Sequence, residues 1–302
     1  MQPSVQELAA SYSVPGLRFE IGHGGLVKAV IETPASKGEI YLQGAHVTGF
    51  QLSGQTPLLW MSDKSLFESG KAIRGGVPIC FPWFGPNALD PKAPSHGYAR
   101  LQAWDIVDAS LSDDDGVTID LQTRINGFEL NYRVSMGRIL QLVLRVTLLE
   151  NAPGAAKFEE ALHTYFAVSD IHQVTIEGLE TNAHLDKVDG AKVKPATGEP
   201  IRFDGECDRV YLETTATCLL HDPALKRLVM VSKRESTSTV IWNPWTEKSA
   251  RMPDFGDDEW RGMVCIETAN VGTGAIELQP GESHEMTAQI SATTYPDELI
   301  GD

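Results

Sequence analysis

Short runs rich in Val, Ile, Leu, Tyr and Thr, each closed off by Gly, Pro, Asn or Asp, recur along the whole 302-residue chain and restrict it to a mainly β architecture. Leu26–Glu32, Gly38–Tyr41, Val117–Thr123, Leu140–Leu149, Val174–Gly178, Val229–Ser232, Thr239–Trp242 and Met263–Thr268 all read this way. Helical periodicity is scarce. Its best case is Val5–Tyr12, where Ser4 and Glu7 have the spacing of a capping box. Many strands without a repeat or a linker-like tract predict one domain over residues 1–302, all-β, built as a large antiparallel sandwich.

Composition removes several function classes. No apolar run approaches the roughly 20 residues of a membrane span, so no membrane role is expected. A formal charge of −16 argues against nucleic acid, whose phosphates require a basic face. The start Met-Gln-Pro-Ser-Val-Gln-Glu-Leu has neither a basic opening nor an apolar run, so the expected location is cytoplasmic. Cys80, Cys207, Cys218 and Cys265 lack any close pairing and are expected to be buried, reduced thiols. Phosphate loops, dinucleotide fingerprints, nucleophile elbows and paired-histidine metal motifs are missing, and neither cofactor nor metal is expected.

Against so negative a background, a well-placed arginine is informative. Arg74 lies in Ala72-Ile-Arg-Gly-Gly-Val-Pro-Ile-Cys-Phe-Pro-Trp-Phe-Gly-Pro86, where glycines permit close approach or positive φ and three prolines stiffen the chain. Such a platform suits a guanidinium receiving a carboxylate or phosphate; the plainer reading is a strand and turn with Arg74 in a structural ion pair. Pro94-Ser-His-Gly-Tyr-Ala-Arg100 sets His96 and Arg100 around a glycine turn, aimed at one oxyanion or, for His96, bridging loops.

Two proton-transfer candidates come from alternation. Read as one strand, Ala161–Val168 puts Ala161, His163 and Tyr165 on one face, with His163 either a general acid–base or a satisfied core residue. In Met263–Ala269, Glu267 shares a face with Met263 and Cys265, where burial would raise its pKa, unless the strand end reaches solvent. Asp208 opens a strand and could accept hydroxyls or cap a turn. Trp242-Asn-Pro-Trp245 is an aromatic corner that either walls a pocket or simply packs. Asp113–Gly116 reads as a solvated acidic loop, Asp254–Glu259 as a second one that either borders a site or is simply solvated, and Lys187–Pro200 as a loop or hairpin tip.

Together the strings IRGGVPICFPWFGP, SHGYAR, ALHTYF, DRVY, NPW and VCIET, running from residue 72 to 268, resemble the hexose-6-phosphate mutarotases (glucose-6-phosphate 1-epimerases) of the aldose 1-epimerase superfamily. Leu42-Gln-Gly-Ala-His46 and Leu59-Trp60 extend the likeness upstream. The resemblance implies a galactose mutarotase-like β-supersandwich with a sugar on a concave sheet face. It implies His163 as catalytic acid, Glu267 as catalytic base, Arg74, Arg100 and Asp208 as substrate-binding residues, and an assisting role for His96. Ser95 stands where some relatives carry glutamine, and Tyr98 where phenylalanine is usual. The implied reaction is anomer exchange of a hexose 6-phosphate without a cofactor, with the sugar phosphate as partner; separately, a monomer is expected. Competing readings are a mutarotase for unphosphorylated aldoses and a sugar-phosphate-binding protein without catalysis.

Overall fold

The computed structural model describes residues 3–112 and 114–295; Asp113, the first member of one acidic run, lies outside the described residues. The capped helix is present as Val5–Ser11. Ser4 Oγ accepts from Glu7 N at 3.2 Å and Ser4 N donates to the Glu7 carboxylate at 2.7 Å.

Three antiparallel sheets make up most of the rest. An outer sheet orders Thr175–Glu177, Cys218–Asp222, Arg227–Arg234, Ser283–Thr294, Leu140–Leu148, Phe128–Met136, Val117–Ile125 and Asp105–Leu111. In Phe128–Met136 and Leu140–Leu148, buried and exposed residues alternate along the strand, as one dry face and one wet face require. A four-stranded sheet holds Leu17–Ile21, Val27–Glu32, Ser36–Tyr41 and His46–Leu52.

The third sheet orders Lys192–Lys194, His184–Asp186, Cys207–Tyr211, Ser238–Asn243, Met263–Asn270, Glu160–Leu162 and Ile79–Cys80, with Tyr165–Ala167 also on Met263–Asn270. Its central strands Ser238–Asn243 and Met263–Asn270 are buried at every position, so both of their faces are covered. Leu162, Phe166, Ile241 and Ile266 point into the main core, which takes residues from all three large sheets. The opposite face carries a second apolar cluster of Cys80, Ala161, Val210, Val240, Ala269 and Val271. Loops cover that second face, and the candidate site lies there.

Two sequence expectations change here. Ala161–Val168 is not one strand: Glu160–Leu162 and Tyr165–Ala167 are separated at His163–Thr164, where Thr164 N turns back to Leu162 O at 2.9 Å. Parity survives the interruption, because Leu162 pairs with Thr268 and Tyr165 with Cys265, which leaves His163 opposite Glu267. Asp254–Glu259 is not simply a solvated run. Asp254 is partly buried against Arg74, and Glu259 accepts from Ser62 Oγ at 2.6 Å and Gly256 N at 2.8 Å. Residues 184–194 do form a hairpin, and all four cysteines are buried and free.

Candidate active site

Register alone assembles the floor of the site. Val210 pairs with Val240, Val240 with Glu267, and Glu267 lies across from His163; one step away Asp208 pairs with Trp242 and Trp242 with Cys265, opposite Tyr165. Side chains two apart on a strand share a face. Asp208, Trp242, Glu267, His163 and Tyr165 therefore face the same way although they come from four separate stretches of sequence. Asp208, Trp242, Glu267 and His163 border a cavity of about 370 Å³, and Tyr165 stacks against His163 behind it.

At its base His163 Nε2 stands 3.3 Å from Glu267 Oε1, with side-chain exposures of 8% and 1%. The imidazole stacks on Tyr165 at 4.9 Å and 15° and meets the edge of Trp242 at 5.9 Å. Burial drives the Glu267 pKa well above the usual carboxylate range, and Asp208 adds to the rise. Burial likewise drives His163 well below the usual imidazole value, with the Arg100 and Arg74 charges adding to the fall. Glu267 Oε2 has no hydrogen-bond partner among the described residues. A buried carboxylate oxygen without a protein partner is a natural contact for a polar ligand.

The Arg74 segment is held as its glycines predict. Gly76 has φ +56°, and a Cβ there would come within 2.1 Å of Val47 O, so the backbone passes where only glycine fits. His46, fully buried and held down at about 4 by its desolvation, is neutral and donates from Nε2 to Gly75 O at 2.8 Å. Arg74 projects from this platform and receives a carboxylate, but that of its own chain. Its Nη2 is 3.0 Å from Asp254 Oδ2, Nε donates to the same oxygen at 3.2 Å, and Nη1 donates to the Tyr165 hydroxyl at 2.8 Å. Burial opposes the guanidinium charge, yet Tyr165 and Asp254 outweigh it and raise the pKa. The structural ion pair, the plainer of the two readings, is the arrangement observed.

Arg100 is different. Its Nη2 donates to Ser95 O at 2.6 Å, Nε is buried without a partner, and among the described residues it joins no ion pair. Ser95 thus acts on Arg100 through its backbone carbonyl, whatever its side chain does. His96 takes φ +64°, with Gly97 beyond it at φ +73°, and a Cβ on Gly97 would fall within 1.9 Å of Phe81 O. Gly85 N donates to His96 Nδ1 at 3.2 Å and His96 N to Gly85 O at 2.8 Å. His96 therefore both bridges two loops and edges the cavity; accepting at Nδ1 leaves its ring proton on Nε2. Burial, then Arg100, keep its pKa well below the ordinary imidazole value.

Asp208 also borders the cavity, its pKa raised by burial while Lys187 and Lys248 pull it back; Lys248 Nζ is 3.7 Å away. Of the aromatic corner, only Trp242 reaches the cavity. Trp245 instead packs on Trp260, with ring centroids 4.4 Å apart. Every residue singled out from the sequence (Arg74, Ser95, His96, Arg100, His163, Asp208, Glu267) borders this one cavity. Sequence reasoning missed Asp254, Lys187 and Lys248. Asp254 lies 180 residues from Arg74, and neither lysine stands in a motif. A larger trough of about 710 Å³ on the exposed face of the outer sheet pairs Arg133 with Asp120 and is lined by no histidine, so it holds no acid–base pair of this kind.

A profile of the aldose 1-epimerase family matches residues 28–291. A Salmonella typhimurium protein named "Putative glucose-6-phosphate 1-epimerase" is 37% identical over 262 residues, which is 83% of this chain and 86% of that protein. One of the same name from Cenchrus ciliaris is 36% identical over 293 residues, 90% of this chain and 86% of its own length. Among solved structures, one described as a putative mutarotase from Salmonella typhimurium has a TM-score of 0.84 at 31% identity, covering 93% of this chain and 94% of that one. The galactose mutarotase-like fold is thus shared, and, with matches over most of its length, this chain belongs to the aldose 1-epimerase family.

Proposed function

We propose that the protein exchanges the α and β anomers of hexose 6-phosphates, glucose 6-phosphate among them, by acid–base opening of the sugar ring. The observation that carries the chemistry is the buried His163–Glu267 pair, 3.3 Å apart on the floor of a cavity walled by cations. Glu267 takes the proton from the anomeric hydroxyl as the C1–O1 double bond forms. The C1–O5 bond breaks, and His163 gives its proton to O5. Rotation about C1–C2 presents the other carbonyl face, and the same two transfers in reverse close the ring.

One proton on the pair is sufficient. Opening converts imidazolium and carboxylate into imidazole and carboxylic acid, so the two tautomers are the states before and after the step. Burial raises Glu267 and lowers His163, so it favours the uncharged tautomer and drives both proton transfers from the charged pair in the ring-opening direction. Asp208 accepts ring hydroxyls, His96 and Ser95 shape the rim, and the wall containing Arg74 and Arg100 faces the 6-phosphate. No cofactor or metal enters these steps.

Anomer-exchange NMR with glucose 6-phosphate, galactose 6-phosphate and free glucose tests this reading. Faster exchange of the phosphorylated sugars is expected. A mutarotase for free aldoses is the second reading, favoured by the pairing of Arg74 with Asp254, which already balances the charge of one cation on the wall. Acceleration of glucose alone would establish that reading; binding without any acceleration would point to a sugar-phosphate-binding protein.

A further inference from the structure

His163 must carry a proton when the sugar ring opens, and most of its surroundings oppose this. Burial, then the charges of Arg100 and Arg74, disfavour the imidazolium. Two neighbours favour it: the Glu267 carboxylate, 3.3 Å from Nε2, and the face of the Tyr165 ring. The other ring nitrogen, Nδ1, is buried without a hydrogen-bond partner among the described residues, so no acceptor there fixes the plane of the imidazole. Rings do so instead. Tyr165 lies flat on His163, with centroids 4.9 Å and planes 15° apart, while Trp242 at 5.9 Å and His96 at 5.6 Å stand nearly perpendicular to it.

Tyr165 is firmly held. It stacks on Trp60 at 5.6 Å and 23°, and its hydroxyl accepts from Arg74 Nη1 at 2.8 Å. Its N–H donates to Gly76 O at 2.9 Å, and its C=O accepts from Trp60 N at 3.0 Å. Side chains two residues apart on an unbroken strand stand about 7 Å from each other. The interruption at His163–Thr164 lets these two rings approach to 4.9 Å.

We propose that Tyr165 is a positioning residue whose π face fixes the plane of the His163 ring and holds its protonated form ready for transfer to O5. This rests on the acid–base ring opening described above. A cation within about 6 Å of an aromatic centroid is attracted by the negative face of the ring, more strongly where water is excluded. Tyr165 is 1% exposed. Before opening, the Glu267 carboxylate and the Tyr165 face both hold the imidazolium. Once Glu267 has taken the anomeric proton its charge is gone, and the Tyr165 face steadies the cation until O5 receives its proton. Tyr165 is not among the residues lining the cavity, so it acts through His163.

Fluorination grades the electron density of an aromatic face at nearly constant shape. Phenylalanine, 3,5-difluorophenylalanine and pentafluorophenylalanine are placed at position 165, and each protein is read in two ways. NMR follows the titration of the His163 ring without sugar, its signals assigned by their loss in His163→Gln, and exchange NMR gives the pH profile of kcat/KM on glucose 6-phosphate. Relative to Tyr165→Phe, the His163 midpoint and the acid limb of the profile are expected to fall together with each step of fluorination. The fall should reach about one pH unit at pentafluorophenylalanine, with turnover slower by up to about tenfold. The alkaline limb, which belongs to Glu267, should stay in place. Tyr165→Leu removes the ring and should lower turnover further; the fluorinated series decides the matter if that variant does not fold. A His163 midpoint and acid limb that ignore fluorination would overturn the inference and leave Tyr165 a packing residue. Wild-type protein that accelerates no anomer exchange, while the His163 midpoint still follows fluorination, would overturn the ring-opening reading and leave the stacking in place.

Discussion

At the scale of single residues, burial pulls the proposed acid and base toward each other. Glu267 rises and His163 falls, so the singly protonated pair spans the interval between a lowered imidazole value and a raised carboxylate value. The pH profile of kcat/KM is therefore expected to be a broad bell. Its acid limb should lie below the ordinary imidazole range near 6.5, and its alkaline limb well above the ordinary carboxylate range near 4.3. His163→Ala and Glu267→Gln are each expected to lower turnover about a hundredfold or more with near-UV circular dichroism unchanged. Full activity in the double variant would remove the pair from the chemistry. Asp254→Asn should act through Arg74, loosening its contact with Tyr165. The expected result is lower turnover in exchange NMR together with weaker binding of the open-chain ligand glucitol 6-phosphate, since Asp254 holds the Arg74 guanidinium at the cavity wall.

At the scale of elements, Gly76 marks where the sequence could be read in detail. The glycine pair promised close approach or positive φ, and Gly76 has both. Gly76→Ala is expected to destabilise the protein by about 2 kcal/mol or more, measured by urea unfolding, since it adds a backbone collision to the left-handed penalty. Gly54→Ala, at φ +74° in open space, should cost only the left-handed penalty of about 1 kcal/mol. The strands named from the sequence all occur, because alternation and turn residues are local properties. The break at His163 escaped notice because it is made by hydrogen bonds to other segments. His163 N donates to Pro78 O and Tyr165 N to Gly76 O, leaving only Thr164 to fold back on itself. The fate of Arg74 escaped for the same reason: a cation's partner is a tertiary fact, and Asp254 sits in a loop whose charges look solvated when read in sequence. Lys187 gives no local signal at all, since its place on the rim follows from how one hairpin meets another loop.

At the scale of the whole molecule, a buried pair links the site sheet to the outer sheet. His284 Nε2 lies 3.0 Å from Glu160 Oε1, and Asn270 donates to the same oxygen at 2.9 Å. Burial alone would lower the His284 pKa, but Glu160, with Glu235 adding to it, outweighs burial and the value is raised. The pair's stabilisation is then fully present below the unfolded imidazole value and fades as pH rises through the raised folded one. His284→Ala is expected to cost roughly 3 kcal/mol at pH 6, because it leaves Glu160 without its cation, and distinctly less at pH 9. Thermal unfolding at the two pH values would show this as a converging difference in Tm. A difference independent of pH would assign His284 a packing role only. The register that sets His163 against Glu267 has another consequence. A slip of two residues between their strands would return every apolar side chain to its proper face, yet carry the acid some 7 Å from the base. Hydrophobic packing is nearly blind to such an error, whereas proton transfer is not. Catalytic activity in a preparation of this protein would therefore report strand alignment more strictly than its melting temperature does.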